Sequence, residues 1–482
     1  MKLEKLLSGV EYKTEIKDIK TKQIKNITTD SRKLNIGDVY ICITGARFDG
    51  HEFARNSLRD KDIVVVTQKD LNLKNQIIVE DTRKAYAKIA ANFFGNPAKK
   101  LKLIGVTGTN GKTSTTYIIK HILESLGCSV GLIGTIQNEI DDMSFPAKYT
   151  TPDPLELSAL LKKMVDFGCE YAVMEISSHA LDQKRVYGLN FEVAVFTNLT
   201  QDHLDYHESM ENYFLAKKQL FFNCKNAIIN IDDDYGRRLF NEILCKKYSY
   251  SIKDKADFNA KDILVSTEGT KFKLKTELNL YDMNINMLGK FFVANSVGAV
   301  AAVFSLRFNI DDILKGLKSC QGVKGRAEIL DVDADFTVIR DYAHGPDGIE
   351  KILDAVSEFA TGRVVILFGC AGNRDRTKRK IMADIAARKS DFVILTSDNP
   401  RDEDTNIIID DAMPGLEKNN TPYKIIVDRY EAIKWAIENS EKNDILILAG
   451  KGHEDYQVLD FGTIYFDEYE IVSEILAKKN NR

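Results

Sequence analysis

The sequence predicts an α/β protein of three domains, and three observations lead to this fold class. The chain has 482 residues, which is too long for one ordinary hydrophobic core. Its 44% hydrophobic and 29% charged content is that of a folded globular protein. Short apolar runs, typical of buried strands, alternate with stretches of helical periodicity. Alternation of this kind is typical of sheets covered by helices on both faces.

The first domain is predicted over residues 1–97. Its apolar runs Asp38–Ile43 and Asp62–Val66 are interrupted by turn residues, which indicates a small α/β domain. The segment Phe94–Pro97 contains Gly and Pro, which interrupt both helix and strand. We therefore place a linker there.

The central domain is predicted over residues 98–325 and begins with a strand, a turn and a helix. Leu101–Val106 is predicted as the strand, and Thr113–Leu126 as a helix with Ile118, Ile122 and Leu126 on one face. Near-continuous apolar runs predict three further buried strands, at Tyr171–Ile176, Val193–Thr197 and Ala227–Asn230.

The third domain is predicted over residues 326–482 as a second doubly wound sheet. Its apolar runs alternate with helical stretches, as in Rossmann-like folds. The predicted strands are Thr337–Arg340, Val364–Phe368, Phe392–Thr396, Lys424–Val427 and Ile445–Leu448.

Composition and charge exclude several classes of protein. The formal net charge is −4 and no basic face dominates, which disfavours a nucleic-acid partner. No apolar run reaches the ~20 residues that span a bilayer, and the segment Met1–Lys5 lacks the apolar core of a signal peptide. The seven cysteines are scattered without a C-x-x-C pair, which indicates reduced thiols. We expect a cytoplasmic enzyme that is not inserted in a membrane.

The strongest motif is the glycine-rich segment Gly105–Thr113 between the predicted strand and helix. Glycines let the backbone wrap round phosphate oxygens, and the N-terminus of the helix adds positive potential. Lys112 would reach the terminal phosphates, and the Thr113 hydroxyl would ligate magnesium. The strict pattern has Gly where this chain has Val106, and a glycine-rich turn with a chance Lys-Thr is the alternative interpretation. The strand–loop–helix context favours binding of ATP or GTP.

Several motifs, in order along nearly the whole chain, resemble the Mur ligase family. The loop Gly108–Thr113 is similar to the family's nucleotide loop, and other segments resemble its acidic, metal-binding, lysine and C-terminal segments: Met174–Leu181, Asn198–His207, Ala216-Lys217 and Asp341–His344. Four more motifs resemble the members that add the third residue of the stem peptide: Asp30–Arg32, Thr150–Pro154, Asp398–Arg401 and Gly450–Glu454.

The resemblance implies a UDP-binding α/β domain at 1–97, a central ATPase-like parallel sheet with the phosphate loop at 98–325, and a C-terminal amino-acid-binding Rossmann-like domain at 326–482. It implies a reaction in which ATP phosphorylates a peptide carboxylate and an amine then displaces phosphate from the acyl phosphate. The implied substrates are UDP-N-acetylmuramoyl-L-alanyl-D-glutamate and a diamino acid. This places the protein, as a monomer, in the cytoplasmic synthesis of peptidoglycan precursors, and so in cell-wall biogenesis, cell shape and the division cycle.

The resemblance also implies catalytic residues and a Mg²⁺ site. The catalytic set is Lys112, Glu175, His203 and Lys217, and the metal set is Thr113, Glu175, His203 and Lys217, with Lys217 carbamylated by CO₂. Taken alone, Glu175 could be a solvated acid at a strand end, and a histidine such as His203 is more often a capping or core residue. Lys217 alone is one of two lysines in an ordinary helix, next to Lys218.

The resemblance assigns residues to ATP and to the UDP-linked peptide as well. The ATP set is Gly108, Thr109, Asn110, Gly111, Lys112, Thr113, Ser114, Asn295, Arg326, Asp341 and His344. The UDP end of the peptide substrate is assigned to Thr29, Ser31, Ala46, Arg47 and Phe48, and its sugar–peptide end to Thr150, Thr151, Ser177, Gln183 and Arg185. Thr and Ser near Pro are also ordinary turn residues. Because the second and third domains would both contribute to the ATP site, we expect domain closure before chemistry.

The amino acid is expected to bind to residues of the third domain: Arg374, Asp398, Asn399, Pro400, Arg401, Gly450 and Glu454. Arg401 can pair with a carboxylate through two hydrogen bonds, which suits the second carboxylate of meso-diaminopimelate. The chain has Thr405 where the family's diaminopimelate pattern usually has Pro, and lanthionine or lysine remains an alternative substrate.

Three other functions compete with this interpretation. A folylpolyglutamate synthase would share the loop and the acyl-phosphate chemistry, but it lacks a separate UDP-binding domain of the size of the first ~95 residues. A phosphate-loop ATPase of motion or signalling would need no amino-acid pocket. A UDP-sugar-binding module would leave Lys112 and Glu175 without a role.

Overall fold

The computed structural model describes residues 1–45, 48–59, 61–141, 143–266, 268–276 and 279–480. The strands in these ranges are β1 (Lys13–Thr14), β2 (Ile27–Thr28), β3 (Val39–Ile41), β4 (Val64–Thr67), β5 (Gln76–Ile78), β6 (Lys102–Thr107), β7 (Val130–Ile133), β8 (Gln137–Ile140), β9 (Met143–Pro146), β10 (Tyr171–Glu175), β11 (Phe191–Phe196), β12 (Cys224–Asn230), β13 (Lys246–Ser251), β14 (Phe258–Ser266), β15 (Gly269–Lys275), β16 (Leu280–Ile285), β17 (Glu328–Ile329), β18 (Thr337–Asp341), β19 (Val364–Cys370), β20 (Phe392–Ser397), β21 (Tyr423–Ile425), β22 (Ile445–Ala449), β23 (Tyr456–Leu459) and β24 (Gly462–Tyr465).

The α-helices in the same ranges are α1 (Leu3–Leu6), α2 (Gly50–Ser57), α3 (Thr82–Phe93), α4 (Lys112–Ser125), α5 (Pro154–Asp166), α6 (Ser178–Asp182), α7 (Leu204–His207), α8 (Met210–Lys218), α9 (Asp234–Glu242), α10 (Lys290–Ser305), α11 (Ile310–Ser319), α12 (Pro346–Ser357), α13 (Thr377–Lys389), α14 (Thr405–Glu417), α15 (Arg429–Glu438) and α16 (Glu468–Asn480). None of these helices combines the length and the apolar character needed to cross a membrane.

The first sheet has the order β1-β5-β4-β3-β2 and is parallel except for β1 at its edge. Its strands β3 and β4 lie within the two apolar runs noted in the sequence, and the small α/β domain expected there is found. Apolar residues of α1 and α3 cover one face, among them Leu3, Leu6, Tyr86 and Ile89. The N-cap residue Asp81 starts α3 by accepting hydrogen bonds from two backbone N–H groups of the first turn.

The second sheet has the order β16-β15-β14-β13-β12-β11-β6-β10-β7-β8-β9. Its parallel centre, with β6 between β10 and β11, confirms the four strands predicted there. Helix α4 begins at Lys112 and ends at Ser125, so Leu126 caps the predicted helix instead of continuing it. The β-branched and leucine side chains of α4 are buried against this sheet, among them Ile118, Ile122 and Leu123.

Both edges of this sheet are antiparallel extensions that the sequence did not predict. Strands β8 and β9 form a hairpin beyond β7, while β15 and β16 continue the sheet beyond β14. In β15 the alternating residues Lys271, Lys273 and Lys275 are exposed, whereas Thr270, Phe272 and Leu274 between them are buried. One buried face is sufficient for an antiparallel strand, so its apolar signal is half that of a parallel strand.

The third sheet has the order β17-β18-β22-β19-β20-β21, parallel apart from the edge strand β17. Four of the five predicted strands are found where they were expected, and β21 is shifted to Tyr423–Ile425. Helices α12, α13 and α14 cover one face, and α15 and α16 cover the other. The doubly wound topology is therefore confirmed, while the domain limits at residues 97 and 325 stay predictions.

A fully buried ion pair links the two helices on one face of this sheet. Arg429 of α15 lies 2.8 Å from Glu468 of α16, and both side chains are 0% exposed. We expect Glu468→Gln to lower the free energy of unfolding by about 3 kcal/mol or more, because Arg429 would remain charged in a site without its partner. The matched control is Glu474→Gln on the same helix, whose pair with Lys478 is exposed and whose loss should cost less than about 0.5 kcal/mol. Urea unfolding of each variant measures the difference, and equal losses would contradict it.

Contacts between neighbouring domains lie close to the predicted site. The Tyr86 hydroxyl of the first domain donates to Asp153 Oδ1 at 3.0 Å. Lys378 of the third domain pairs with Asp202 of the second at 2.8 Å. These contacts fix the position at which all three domains approach one another.

Candidate active site

The phosphate loop runs from the end of β6 to the start of α4. Gly111 has φ +82°, and a Cβ there would lie 2.5 Å from Asn295 Oδ1. Only glycine fits both the left-handed backbone and this close approach. Asn295, predicted to contact ATP, is therefore held by α10 directly against the loop.

Two lysine side chains converge on one carbonyl oxygen of this loop. Lys112 Nζ donates to Gly108 O at 3.0 Å and to Thr109 O at 2.7 Å, and Lys217 Nζ donates to the same Gly108 O at 2.8 Å. Burial lowers the pKa of both amines, that of Lys217 well below its ordinary value; repulsion from Lys112 adds to the effect on Lys217, and repulsion from Arg326 adds to the effect on Lys112. An anion placed at the loop would relieve this repulsion.

Glu175 stands at the end of β10 as a fully buried carboxylate beside the loop. Its Oε2 accepts hydrogen bonds from Thr113 Oγ1 and Thr135 Oγ1, both at 3.0 Å, and its Oε1 accepts from the Thr135 N–H at 2.8 Å. A carboxylate and a hydroxyl side by side are ligands that a hard cation such as Mg²⁺ prefers. The predicted pair Thr113 and Glu175 therefore fits a magnesium ion at the phosphates.

His203 lies on the other side of the loop in a left-handed backbone conformation, with φ +52°. Its Nε2 is 3.4 Å from Asp202 Oδ2, and its ring lies 6.3 Å from that of Tyr213, over which Lys217 Nζ sits at 4.6 Å. Burial lowers the pKa of His203 to about 4, so the neutral imidazole, which is the metal-binding form, predominates.

No three His, Cys, Asp or Glu side chains in the described ranges converge as a preformed metal cluster. The four predicted metal residues therefore do not complete a coordination shell by themselves. Mg²⁺ retains waters and phosphate oxygens when it binds with nucleotides, so two protein ligands per ion are sufficient.

The third domain reaches this site through Arg326. Its Nη2 donates to Thr113 Oγ1 at 3.1 Å, and its guanidinium lies 4.7 Å from the centre of the Tyr342 ring. Asp341 Oδ2 accepts from the Ala327 N–H at 2.6 Å, and burial raises the pKa of Asp341 although Arg326 opposes the shift. The exposed His344 packs on Tyr342, with ring centres 4.7 Å apart. Of the ATP residues predicted here, Arg326 contacts the loop, whereas Asp341 contacts Ala327 and His344 contacts Tyr342.

The residues predicted for the sugar–peptide end gather next to Glu175. Thr151 Oγ1 donates to the Glu175 carbonyl at 2.8 Å and accepts from the Ser177 N–H at 3.0 Å. Arg185 Nη1 donates to the Thr151 carbonyl at 2.8 Å and Nη2 donates to Gln183 Oε1 at 2.9 Å. Thr150 joins them through Thr135: the two Oγ1 atoms are 3.1 Å apart, and because the Thr135 hydroxyl donates to Glu175, the Thr150 hydroxyl is the donor of this pair. All five predicted residues thus form one patch.

The residues predicted to bind the UDP end do not form a contiguous patch like that of the sugar–peptide end. Thr29 faces the Tyr86 hydroxyl, and Ser31 begins a short 3-10 turn that Asp30 caps. Phe48 is 52% exposed and contacts Phe53 at 6.3 Å between ring centres. Ala46 and Arg47 lie outside the described residues. No contact in the described parts of the chain joins Thr29, Ser31 and Phe48 to one another.

The predicted amino-acid residues follow β20 and β22, whose carboxyl ends lie at one edge of the parallel third sheet. Asn399 Nδ2 donates to Glu454 Oε2 at 2.9 Å, which joins the two segments. Arg401 Nη1 donates to the Gly372 carbonyl at 2.6 Å. Arg374, two residues after Gly372 in the chain, is exposed. Gly450, with φ +114°, lies against Asp398, and Pro400 is buried next to Gly372.

Sequence reasoning missed two buried cations at this edge. Lys451 is 0% exposed and lies 2.8 Å from Glu454 Oε2. Arg379 of α13 is 2% exposed and pairs with Glu403 and Asp411, each at 2.7 Å. Lys451 could have been noticed because it lies between two glycines in the motif Gly450–Glu454. Arg379 has no comparable signal, since its partners come from another segment.

The segment Gly450–Glu454 lies between the nucleotide side and the amino-acid side. A Cβ on Gly452 would lie 2.7 Å from the Gly325 carbonyl, next to Arg326. The His453 ring lies 4.9 Å from that of Tyr342, which also contacts Arg326. The segment therefore contacts Gly325 and Tyr342, which lie beside Arg326. Through Glu454 it also contacts Asn399, one of the residues predicted to bind the amino acid.

Comparison with family models gives three matches in chain order. They are the Mur ligase family catalytic domain over residues 23–94, the Mur ligase middle domain over 106–303, and the Mur ligase glutamate ligase domain over 325–452.

Comparison with curated proteins and solved structures gives full-length matches. The chain is 46% identical over 483 residues to UDP-N-acetylmuramoyl-L-alanyl-D-glutamate–2,6-diaminopimelate ligase 1 of Clostridium acetobutylicum, covering 99% of this chain and 100% of that protein. It is 44% identical over 486 residues to the ligase of the same name from Clostridium tetani, with the same coverage of both chains. A solved structure of a UDP-N-acetylmuramoyl-L-alanyl-D-glutamate–2,6-diaminopimelate ligase superposes with a TM-score of 0.72 at 30% identity, covering 100% of this chain and 99% of the other.

Proposed function

This chain belongs to the Mur ligase family, and from that membership and its site we propose that it is an ATP-dependent ligase that joins meso-2,6-diaminopimelate to UDP-N-acetylmuramoyl-L-alanyl-D-glutamate. The observation that carries this proposal is the pairing of a two-lysine phosphate loop with Asp398–Arg401 and Gly450–Glu454 at the edge of the third sheet. The relatives named above carry the same activity in their names, over the whole length of this chain.

The first step transfers the γ-phosphoryl group of ATP to the substrate carboxylate, which brings two anions together. Lys112 and Arg326 supply positive charge at the loop, and the N-terminus of α4 adds its backbone N–H groups. Thr113 and Glu175 would hold Mg²⁺, which would neutralise phosphate charge when bound. This grouping round one loop supports the ATP residues of the loop itself together with Asn295 and Arg326; Asp341 and His344 stay proposals from the resemblance.

Lys217 is proposed to act as a carbamate. The carbamate forms when the neutral amine attacks CO₂ and loses a proton, which turns a cation into an anion. Burial lowers the pKa of Lys217 well below its ordinary value, and this favours the reactive neutral amine. The resulting anion would face Lys112 and, with His203, would help to hold a second magnesium ion. We propose both the carbamate on Lys217 and the magnesium that it would help to hold.

The peptide carboxylate is proposed to be presented by the patch round Thr151. Arg185 is the cation of this patch, and Ser177 and Thr150 provide hydroxyl groups near Glu175. The UDP end would bind to the first domain near Thr29, Ser31 and the segment from 46 to 48. Tyr86 and Asp153 connect the two regions.

In the second step the amine nitrogen attacks the acyl carbon, the carbon–oxygen bond to phosphate breaks, and inorganic phosphate leaves. The attacking ammonium must lose a proton first. Contacts such as Lys378 with Asp202 close the second and third domains against each other, and closure would exclude water from the acyl phosphate. We propose that the enzyme carries out this reaction as a monomer in the cytoplasm.

The choice of amino acid is testable at Arg401. The Arg401 guanidinium gains an anionic partner when diaminopimelate or lanthionine presents its distal carboxylate, whereas with lysine its charge has only backbone carbonyls to pair with. We expect wild-type kcat/KM for diaminopimelate and lanthionine to exceed that for lysine by roughly a hundredfold, which corresponds to about 3 kcal/mol. Arg401→Ala should remove this preference by lowering the first two values. Phosphate release with the UDP-linked dipeptide and each amino acid in turn measures both.

The phosphate-release assay also distinguishes the alternative functions. Wild-type use of lysine as efficiently as diaminopimelate would contradict the role of Arg401, and so would a preference that survives in the variant. Phosphate release without any amino acid would favour an ATPase of motion or signalling. Turnover with folate and glutamate would favour a folylpolyglutamate synthase, although the names of the full-length relatives support the UDP-linked substrate.

A further inference from the structure

A buried lysine lies at the centre of the amino-acid side of the site. Lys451 is 0% exposed, and its Nζ donates to Glu454 Oε2 at 2.8 Å and to Asn399 Oδ1 at 3.2 Å. It also lies 3.9 Å from Asp398 Oδ1 and 5.4 Å from the centre of the Tyr456 ring. One ammonium group thus contacts three residues that the sequence assigned to the amino acid.

The backbone round this lysine is held by other residues. Arg429 donates to the Ser397 carbonyl at 3.1 Å and to the Ala449 carbonyl at 2.9 Å, which fixes the last residues of β20 and β22. Gln457 Nε2 donates to the Asp398 carbonyl at 2.7 Å. Loss of the Lys451 side chain should therefore leave the two backbone segments in place and change mainly the side chains that the ammonium contacts.

Lys451, Asp398, Asn399 and Glu454 form a cluster in which two carboxylates contact a single ammonium group. Asp398 and Glu454 carry two negative charges, and Lys451 supplies one positive charge. Asp398 is 4% exposed, and its Oδ1 has no hydrogen-bond donor among the described residues. A buried acceptor without a donor is costly unless a ligand supplies the donor. An ammonium group of the amino acid would supply both the charge and the donor.

The two oxygens of Glu454 are used differently. Oε2 accepts from both Lys451 Nζ and Asn399 Nδ2, so these two donors fix the plane of the carboxylate. Attraction to Lys451 lowers the pKa of Glu454 against the effect of its burial. The carboxylate also faces the Tyr456 hydroxyl. Because Lys451 and Asn399 both donate to Oε2, Oε1 keeps a lone pair through which Glu454 can accept from a ligand, even when the Tyr456 hydroxyl donates to the carboxylate.

We propose that Lys451 is a positioning residue for the amino-acid substrate: it holds Glu454 through Oε2, so that Glu454 Oε1 and Asp398 Oδ1 together accept from a substrate ammonium group. This inference rests on the proposed function, because it presupposes an amino acid at this edge of the sheet. It assigns no contact between Lys451 and the substrate itself.

Steady-state kinetics of Lys451→Met tests the proposal. Methionine fills the buried space but supplies neither charge nor hydrogen bond. We expect KM for diaminopimelate to rise roughly tenfold to a hundredfold, as for other residues that orient a ligand-binding group. KM for ATP and for the UDP-linked dipeptide should stay at their wild-type values. The matched control is Lys389→Met on α13, which also removes a lysine that contacts two carboxylates, Glu350 and Asp354, and which should leave all three KM values unchanged.

A double-mutant cycle distinguishes positioning from a general structural effect. Because Lys451 would act through Glu454, Lys451→Met should have a much smaller effect on KM in a Glu454→Gln background than in the wild type. Additive effects would overturn the proposal, and so would an unchanged KM for diaminopimelate in the single variant. Circular dichroism checks that each variant is folded. If Lys451→Met does not fold, Lys451→Leu also removes both the charge and the donor, and an unchanged KM for diaminopimelate in that variant would likewise overturn the proposal.

Failure of the proposed function has a separate signature. A wild-type enzyme that forms no amide with diaminopimelate contradicts the assigned reaction before any variant is compared. A wild-type enzyme that forms the amide, together with a Lys451→Met variant of equal KM, leaves the reaction standing and removes only the role of Lys451.

Discussion

Replacing Lys112 with alanine is expected to lower ADP formation by on the order of a thousandfold, because a cation that stabilises charge on a transferring phosphoryl group is worth that much. The amine already lies on the loop, where it donates to the carbonyls of Gly108 and Thr109. When phosphates occupy the loop, the same amine can turn from these carbonyls to the phosphate oxygens. Binding of the UDP-linked dipeptide should be nearly unchanged, since no predicted residue of that site contacts Lys112 in the described residues.

The assay is ADP release with all three substrates, and dipeptide binding is measured separately by calorimetry. Lys120→Ala is the matched control, because Lys120 lies on the same helix and pairs with Glu124 and Glu139 away from the loop. Turnover of Lys112→Ala at the wild-type rate would rule out the assignment of residues 105–113 as the phosphate loop.

The second large effect is expected for Lys217→Ala. If a carbamate on Lys217 helps to hold magnesium, its loss should cost several kcal/mol, or roughly a hundredfold to a thousandfold in rate. Truncation also leaves a small space beside the Gly108 carbonyl, next to the Lys112 amine. A short carboxylate such as formate or acetate can enter that space and replace the missing anion. We therefore expect partial recovery of activity as such acids are added.

The neighbouring variant Lys218→Ala is the control, because Lys218 pairs with Glu242 at 2.6 Å on the outside of α8. It should keep wild-type activity and show no response to added acids. A fully active Lys217→Ala would show that this lysine has no part in catalysis, and an inactive variant that no carboxylate restores would speak against the carbamate.

The parallel strands and the phosphate loop could be predicted because each carries its signal within one short segment. A strand buried on both faces is apolar throughout, as β19 and β22 are, and the loop joins glycines to a lysine and a threonine in consecutive positions. The antiparallel strand β15 carries no such signal, since alternate residues are charged and exposed.

Contacts that depend on tertiary packing could not be predicted. Lys217 and Gly108 are 109 residues apart, and Arg326 and Thr113 are 213 apart, so nothing local indicates that they meet. The burial of Lys451 is equally hidden, because a lysine between two glycines is usually exposed. The resemblance to a family directed attention to Lys217, but only the fold reveals its low-pKa environment.

The position of Gly450–Glu454 between two sites has a thermodynamic consequence. One end of this segment packs on Gly325 and Tyr342, beside the arginine that reaches Thr113, and the other end aligns Glu454. Under the proposed function, a displacement of the first end on ATP binding would change the affinity of the second end for the amino acid, and linkage makes such an effect reciprocal. If bound ATP changes the affinity for the amino acid by some factor, bound amino acid must change the affinity for ATP by the same factor. The segment Gly450–Glu454 can thereby couple the binding of two substrates whose sites lie at its opposite ends.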